Sequence, residues 1–180
     1  MRFCYNRNVP RDWDAYYSDP TNIKSNPHPL LVQVAELLPP GCALDLACGA
    51  GRNALYLASL EWRVTAVDAS AVALARLSGV ETHRADLEKH EFAIEPAAYD
   101  LICDFHYLQR DLFPAIREGV RPGGVFTGAI HLASPGHSEA YSLQPGELRQ
   151  EFAGWKISYY SESPEPQSTR VSARIIARRA

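Results

Sequence analysis

Apolar positions in this chain alternate between two spacings. Pro29–Leu38 carries apolar residues at helical intervals and stops at Pro39-Pro40-Gly41. Ala43–Ala47 is a short apolar run with one acid, read as a buried strand, and Asn53–Leu60 returns to helical spacing. Arg63–Val67 is a strand ending at Asp68. Ser70 can cap a helix over Ala71–Leu77, which Gly79 ends. Val80–Arg84, Tyr99–Cys103 and Val125–Ile130 read as further strands, and Asp111–Val120 as a helix stopped by Arg121-Pro122-Gly123-Gly124. Repeated strand–helix alternation predicts a parallel sheet with helices on both faces.

The two ends differ from this middle. Residues 1–27 are polar, with one short helical candidate at Asp12–Ser18. Residues 131–145 form a Gly/Ser/Pro/His loop, followed by a short helix, Gly146–Phe152. Trp155–Tyr160 and Arg170–Ala177 are strand-like and flank a polar loop, Ser161–Thr169. In the last strand Val171, Ala173, Ile175 and Ala177 alternate with Arg170, Ser172, Arg174 and Ile176, which predicts one packed face and a terminal hairpin. Arg170, Arg174, Arg178 and Arg179 read as a solvated basic edge.

Composition narrows the function classes. The chain has 180 residues, 46% hydrophobic and 22% charged, as expected for one globular domain. A net charge of −3 leaves no electrostatic footprint for nucleic acid or a membrane surface. No apolar run approaches the roughly 18 residues of a membrane span, and Met1–Pro10 lacks the apolar core of a signal peptide. Cys4, Cys42, Cys48 and Cys103 show no C-x-x-C spacing, so buried thiols in a reducing cytoplasm are expected, with no metal site.

The candidate chemistry lies at the carboxyl ends of the strands, where open parallel sheets bind ligands. Gly49 and Gly51, spaced G-x-G between the first strand and its helix, allow close backbone approach. Asp45 lies inside the first strand. Asp68, Asp86 and Asp104 follow the second, third and fourth. An acid ending the second strand can accept both hydroxyls of a ribose. An acid after the third can reach an adenine amino group. Each acid alone is also explained by turn chemistry; their order with the glycine turn carries the reading.

Gly49-Ala50-Gly51-Arg52-Asn53-Ala54 also matches a dinucleotide fingerprint. Asp45 would put negative charge near a pyrophosphate, however, and 180 residues leave no second catalytic domain. S-adenosylmethionine, with a cationic sulfonium and ammonium, suits the acids better. A non-catalytic S-adenosylmethionine-binding protein and a compact NAD-binding domain stay open as alternatives.

The segments ALDLACGAGRNALYLA, RVTAVDAS, HRADL, YDLICDFHYL and VRPGGVFTGA resemble the motifs of class I S-adenosylmethionine-dependent methyltransferases. WDAYYSD, PGELRQEFAGW and RIIARR extend the resemblance to the bacterial tellurite-resistance methyltransferases and their small-molecule relatives. The resemblance implies one Rossmann-like α/β domain over residues 1–180. Its sheet would have seven strands, mostly parallel with an antiparallel terminal strand, in three α/β/α layers. Residues 1–40 would form a lid and helix, 41–130 the cofactor core, and 131–180 a helix and hairpin. Asp45 and the backbone of Ala47, Gly49 and Gly51 would face the methionine end, with Arg52 on its carboxylate. Asp68 would bind the ribose, with Ala69 beside the adenine. Asp86 and Leu87 would read the adenine edge, and Asp104 and Phe105 would lie under the sulfonium. Tyr16 or Tyr17 would close over the cofactor, within a lid spanning Trp13–Pro29.

Two departures stand out. Ala47 replaces the first glycine of the motif, which requires a negative φ there. Relatives often carry a histidine between the last two strands, where this chain reads Ser161-Glu162-Ser163-Pro164-Glu165-Pro166-Gln167. The acceptor is expected to be a small molecule: a metalloid oxyanion, thiol or hydroxyl. His106 is the leading candidate for a general base, ahead of His131 and His137, and Tyr107 for a pocket wall or hydrogen-bond donor.

Overall fold

The computed structural model describes residues 12–134, 139–165 and 169–180. His137 lies outside them. Seven strands form one sheet: β1 (Cys42–Leu46), β2 (Arg63–Asp68), β3 (Glu81–Arg84), β4 (Tyr99–Phe105), β5 (Val120–His131), β6 (Lys156–Pro164) and β7 (Val171–Arg178). Their spatial order is β3-β2-β1-β4-β5-β7-β6. The first five run parallel, and β7 pairs antiparallel with both β5 and β6. The chain reverses its direction of travel across the sheet between β1 and β4, so their carboxyl ends open the crevice where such sheets take ligands.

Helices α1 (Trp13–Ser18), α2 (Pro29–Ala35), α3 (Arg52–Ser59), α4 (Ala71–Leu74), α5 (Phe113–Gly119) and α6 (Glu147–Glu151) complete the layers. The alternation within β1 divides its side chains. Leu44 and Leu46 join one core with Ile102, Phe113, Phe126 and Phe152; Ala43 joins the other with Leu31, Leu57 and Leu101. Phe126 and Phe152 stack at 4.3 Å, which ties α6 to the centre of the sheet. Asp45 points to the α2/α3 side with Ala43, and only 1% of it is exposed.

Several boundaries move for physical reasons. The Ala71–Leu77 helix ends at Leu74, because the Arg76 and Leu77 N–H groups turn to i−3 carbonyls ahead of Gly79 at φ +72°. β5 begins at Val120, five residues early: its Arg-Pro-Gly-Gly stretch pairs with the chain end, Gly123 N–H donating to Arg179 O and Arg179 N–H to Gly124 O. β6 runs through Pro164, since Ser161–Pro164 align with Arg174–Val171. The terminal arginines are pins as much as a solvated edge. Arg174 donates to Ser161 and Ser163, Arg178 to Gly123 O, and Arg179 to the carbonyls that end α5.

Candidate functional site

The β1–α3 turn is built on left-handed backbone. Gly49 and Gly51 have φ of +56° and +78°. Ala47 also lies at positive φ, +48°, so the expectation of a negative φ there is overturned. The methyl group is carried in a conformation that costs an L-residue roughly 1–2 kcal/mol. Neighbours hold it there: Cys48 N–H donates to Val67 O at 3.0 Å and Gly51 N–H to Cys48 O at 3.1 Å.

Carboxylates surround this turn. Asp68 accepts the Gly49 N–H through Oδ2 and the Ser70 N–H through Oδ1, both at 2.8 Å. Its backbone bonds favour ionisation, but burial is stronger and pushes its pKa up. Asp45 accepts the Ala54 N–H at 3.1 Å and the Cys103 thiol at 3.3 Å. Burial raises it to about 7. Asp104, 2% exposed, is pushed well up by burial, and its Oδ1 has no hydrogen-bond partner. The Asp45 charge raises Asp104 further and the Asp68 charge raises Asp45, while the Arg52 guanidinium pulls Asp45 the other way.

The adenine-side candidates cluster separately. Asp86 caps a short turn through Glu88 N–H at 3.1 Å and pairs with Lys89 at 2.9 Å. Leu87 is buried, and its carbonyl accepts the Gln109 amide at 3.0 Å. The Tyr107 hydroxyl donates to the same Gln109 at 2.6 Å, and burial raises its pKa. Tyr107 is thus tied through Gln109 to Leu87. The Ala69 carbonyl accepts from Arg84 Nε at 3.3 Å.

The N-terminal segment lies across the turn. Asp14 of α1 accepts from Ser70 Oγ at 2.6 Å and Val72 N–H at 3.1 Å. A Cβ at Gly49 would come within 2.3 Å of the Tyr17 hydroxyl, so Tyr17 reaches the glycine turn. Tyr16 stacks edge-on against Tyr17 at 5.0 Å. Arg52 donates to Asn26 O at 3.4 Å, joining α3 to the same segment.

A second group of polar residues lies past β4 and β5. Phe105, buried, stacks on His28 at 4.2 Å. His106 has φ +69° and stacks on His131 at 4.9 Å. Among the described residues, His28, His106 and Glu165 form one group whose donor atoms all lie within 4.8 Å of one another, a spacing a metal ion could exploit. His28 Nδ1, however, already accepts the Leu30 N–H at 3.2 Å as the cap of α2. The neutral ring then carries its proton on Nε2, facing Glu165, and a metal there would have to displace it. Sequence reasoning missed His28, Glu165 and Ser172. His28-Pro29 shows only a helix start, and Glu165 lies in a stretch that reads as polar loop.

The family model described as tellurite resistance protein TehB matches residues 11–169. The chain belongs to the TehB family. Hemagglutinin 1 of Eikenella corrodens is 32% identical, over 76% of this chain and 51% of its own length. TehB of Haemophilus influenzae, described as a probable S-adenosyl-L-methionine-dependent methyltransferase, is 26% identical over 82% of this chain and 57% of its length. The crystal structure of the Haemophilus influenzae protein superposes with a TM-score of 0.71 at 22% identity, covering 93% of this chain and 67% of that one. A Burkholderia thailandensis 1,6-didemethyltoxoflavin-N1-methyltransferase, with that compound and S-adenosylhomocysteine bound, superposes at 0.62 with 19% identity, over 84% of this chain and 79% of its own. The fold of this TehB-family chain is thus the class I methyltransferase fold. The chain spans about half the length of the curated relatives it matches. Among the described residues, no helix is long and apolar enough to cross a membrane.

Proposed function

We propose that this domain binds S-adenosylmethionine across the carboxyl ends of β1, β2 and β4 and methylates a small molecule. The observation that carries this is the set of three buried acids, Asp45, Asp68 and Asp104, gathered around a glycine turn, with the Arg52 guanidinium acting on Asp45. A ligand bearing an ammonium and a sulfonium offsets that charge, whereas a pyrophosphate would add to it. Asp68 keeps acceptor capacity for ribose hydroxyls beyond its two backbone bonds, since an ionised carboxylate offers about four lone-pair sites. The cofactor supplies an electrophilic methyl group. The chain's own contribution is position: the glycine turn and Asp45 hold the amino-acid end, and Asp104 and Phe105 lie below the reacting centre. Tyr17 and α1 cover the turn and exclude water. Binding of a small molecule by the Burkholderia relative supports a small-molecule acceptor, whether a metalloid oxyanion, a thiol or a hydroxyl. The buried free thiols Cys48 and Cys103 suit a reducing, cytoplasmic compartment.

Calorimetry with S-adenosylhomocysteine and NAD tests the cofactor. Binding of the first and not the second is expected; the reverse defeats the reading. A screen with tritiated S-adenosylmethionine against tellurite, 2-mercaptoethanol and catechol tests transfer. Tight binding with no transfer to any of them would favour a non-catalytic binding protein.

A further inference from the structure

Past β4 and β5, one carboxylate sits among three imidazoles. Glu165 accepts the Ser172 hydroxyl at 2.5 Å, and its Oε2 lies 3.7 Å from His28 Nε2. Its Oε1 lies 3.6 Å from His106 Nδ1. Burial works against the charge on Glu165, but the nearby His28 ring, the Ser172 hydroxyl and the His106 imidazole hold it down at about 2. Its side chain is only 13% exposed, so this negative charge acts at short range with little screening.

Three features aim His106. Its positive φ turns the ring out of the β4 direction, and its N–H stays pinned to Ala129 O at 2.7 Å. The ring lies on His131, tilted by 26°. Its Nδ1 is buried, without a hydrogen-bond partner, and faces Glu165. A neutral imidazole has one N–H and one lone pair. A lone pair on Nδ1 would face the carboxylate's lone pairs, whereas a proton on Nδ1 is attracted and needs only a few tenths of an ångström to complete a bond. Nε2 then keeps the lone pair. His28 has the opposite arrangement, with its Nδ1 lone pair engaged by Leu30 and its proton toward Glu165. Ser172 gives its own proton to Glu165, so His131 Nδ1, 2.9 Å from Ser172 Oγ, is the donor in that contact.

We propose that Glu165 is a positioning residue that holds His106 with its proton on Nδ1, so that Nε2 serves as general base for a protic acceptor, a thiol, hydroxyl or amine. This rests on the methyltransferase reading above. The acceptor heteroatom forms a bond to the methyl carbon. The carbon–sulfur bond breaks, its electron pair stays on sulfur, and the acceptor's proton passes to His106 Nε2. The imidazolium so formed lies beside the Glu165 carboxylate, the same logic as an acid–histidine pair in acyl transfer. Burial keeps the ring neutral beforehand, holding its pKa down at about 3 against the opposite pull of Glu165. Glu165, His28, His131 and Arg52 are the charged and titratable groups around the ring. An unprotonated metalloid oxyanion has no proton to surrender and gains nothing from this base.

The test begins with long-range ¹H–¹⁵N correlation on histidine-labelled protein saturated with S-adenosylhomocysteine. His106 is expected as the Nδ1–H tautomer, and Glu165→Gln is expected to mix the two tautomers. A proton on Nε2 of the unaltered protein overturns the proposal. So does an unchanged tautomer in the variant. Calorimetry with S-adenosylhomocysteine run alongside separates the two claims: lost cofactor binding defeats the methyltransferase reading, whereas binding with the wrong tautomer defeats only the assignment of base and positioning residue. With 2-mercaptoethanol as acceptor, Glu165→Gln should lower kcat roughly 100-fold at neutral pH with unchanged S-adenosylmethionine KM. The variant's rate should recover as pH rises and the thiol ionises by itself, which a loss of mere structural support would not produce. An equal rate in both proteins overturns the proposal. One bound zinc per chain after incubation with zinc alone, lost in Glu165→Gln, would reassign the group as a metal site and also overturn it.

Discussion

Replacing Asp45 with Asn tests whether a buried acid is held at the cofactor crevice against its own solvation. Asn is nearly isosteric and can still accept the Ala54 N–H through its carbonyl. Asp45 has an ordinary pKa of 3.8 and is raised to about 7 in the folded chain, chiefly by burial. The folded state therefore binds the proton more tightly than the unfolded one. Its stabilising effect is complete below about pH 4 and is lost as pH rises through about 7. The shift of about three units corresponds to about 4 kcal/mol over that whole window. Between pH 5 and 7.5 about 2–3 kcal/mol of it is lost, or roughly 5–10 °C in Tm for a domain of this size. Thermal melts of both proteins at pH 5, 6, 7 and 7.5 give the difference directly. The difference decides, because Asp68 and Asp104 are also raised by burial and change the stability of the whole protein in the same direction. The Tm advantage of Asp45→Asn should grow by several degrees from pH 5 to 7.5. A constant offset between the two proteins would refute a raised, titrating Asp45. With S-adenosylmethionine bound, the ligand's cations should pull the Asp45 pKa back down, and binding near pH 6 should release protons.

Ala47→Gly should stabilise the chain by about 1 kcal/mol, because glycine removes the strain of φ +48°; a loss in chemical denaturation would show that the methyl group packs usefully. Asp68→Ala should weaken S-adenosylhomocysteine binding 10- to 100-fold in calorimetry and also destabilise the fold by about 1–3 kcal/mol, since the Gly49 and Ser70 N–H groups lose their acceptor. Unchanged affinity would remove Asp68 from the ribose site. Gly49→Ala should lower cofactor affinity and loosen α1, because the new methyl meets Tyr17 and the backbone is left-handed; slower hydrogen exchange over residues 13–29 on S-adenosylhomocysteine binding should accompany this lid role, and unchanged exchange there would end it.

The α/β order, the strands and the glycine turn were legible along the chain because local periodicity and backbone preference set them. Helix α3 begins within one residue of its predicted start, and the acids at the ends of β1, β2 and β4 fall where the pattern put them. The periodicity of β7 also marked its packed face correctly, apart from Ser172. Partnership across the sheet was not legible. Nothing local says that the Arg-Pro-Gly-Gly stretch would pair with Arg179, or that β6 would run on to Pro164; those depend on register with a strand many residues away. Ala47 looked like a departure needing ordinary backbone, yet contacts with β2 hold it left-handed. Glu165 and His28 are 137 positions apart in sequence, and each reads locally as a turn or cap residue. Only the folding of α2 and of the β6–β7 hairpin onto the ends of β4 and β5 brings them to His106. Short-range pattern is written in neighbouring residues; a proton's position between distant side chains depends on the field that the whole fold assembles around it.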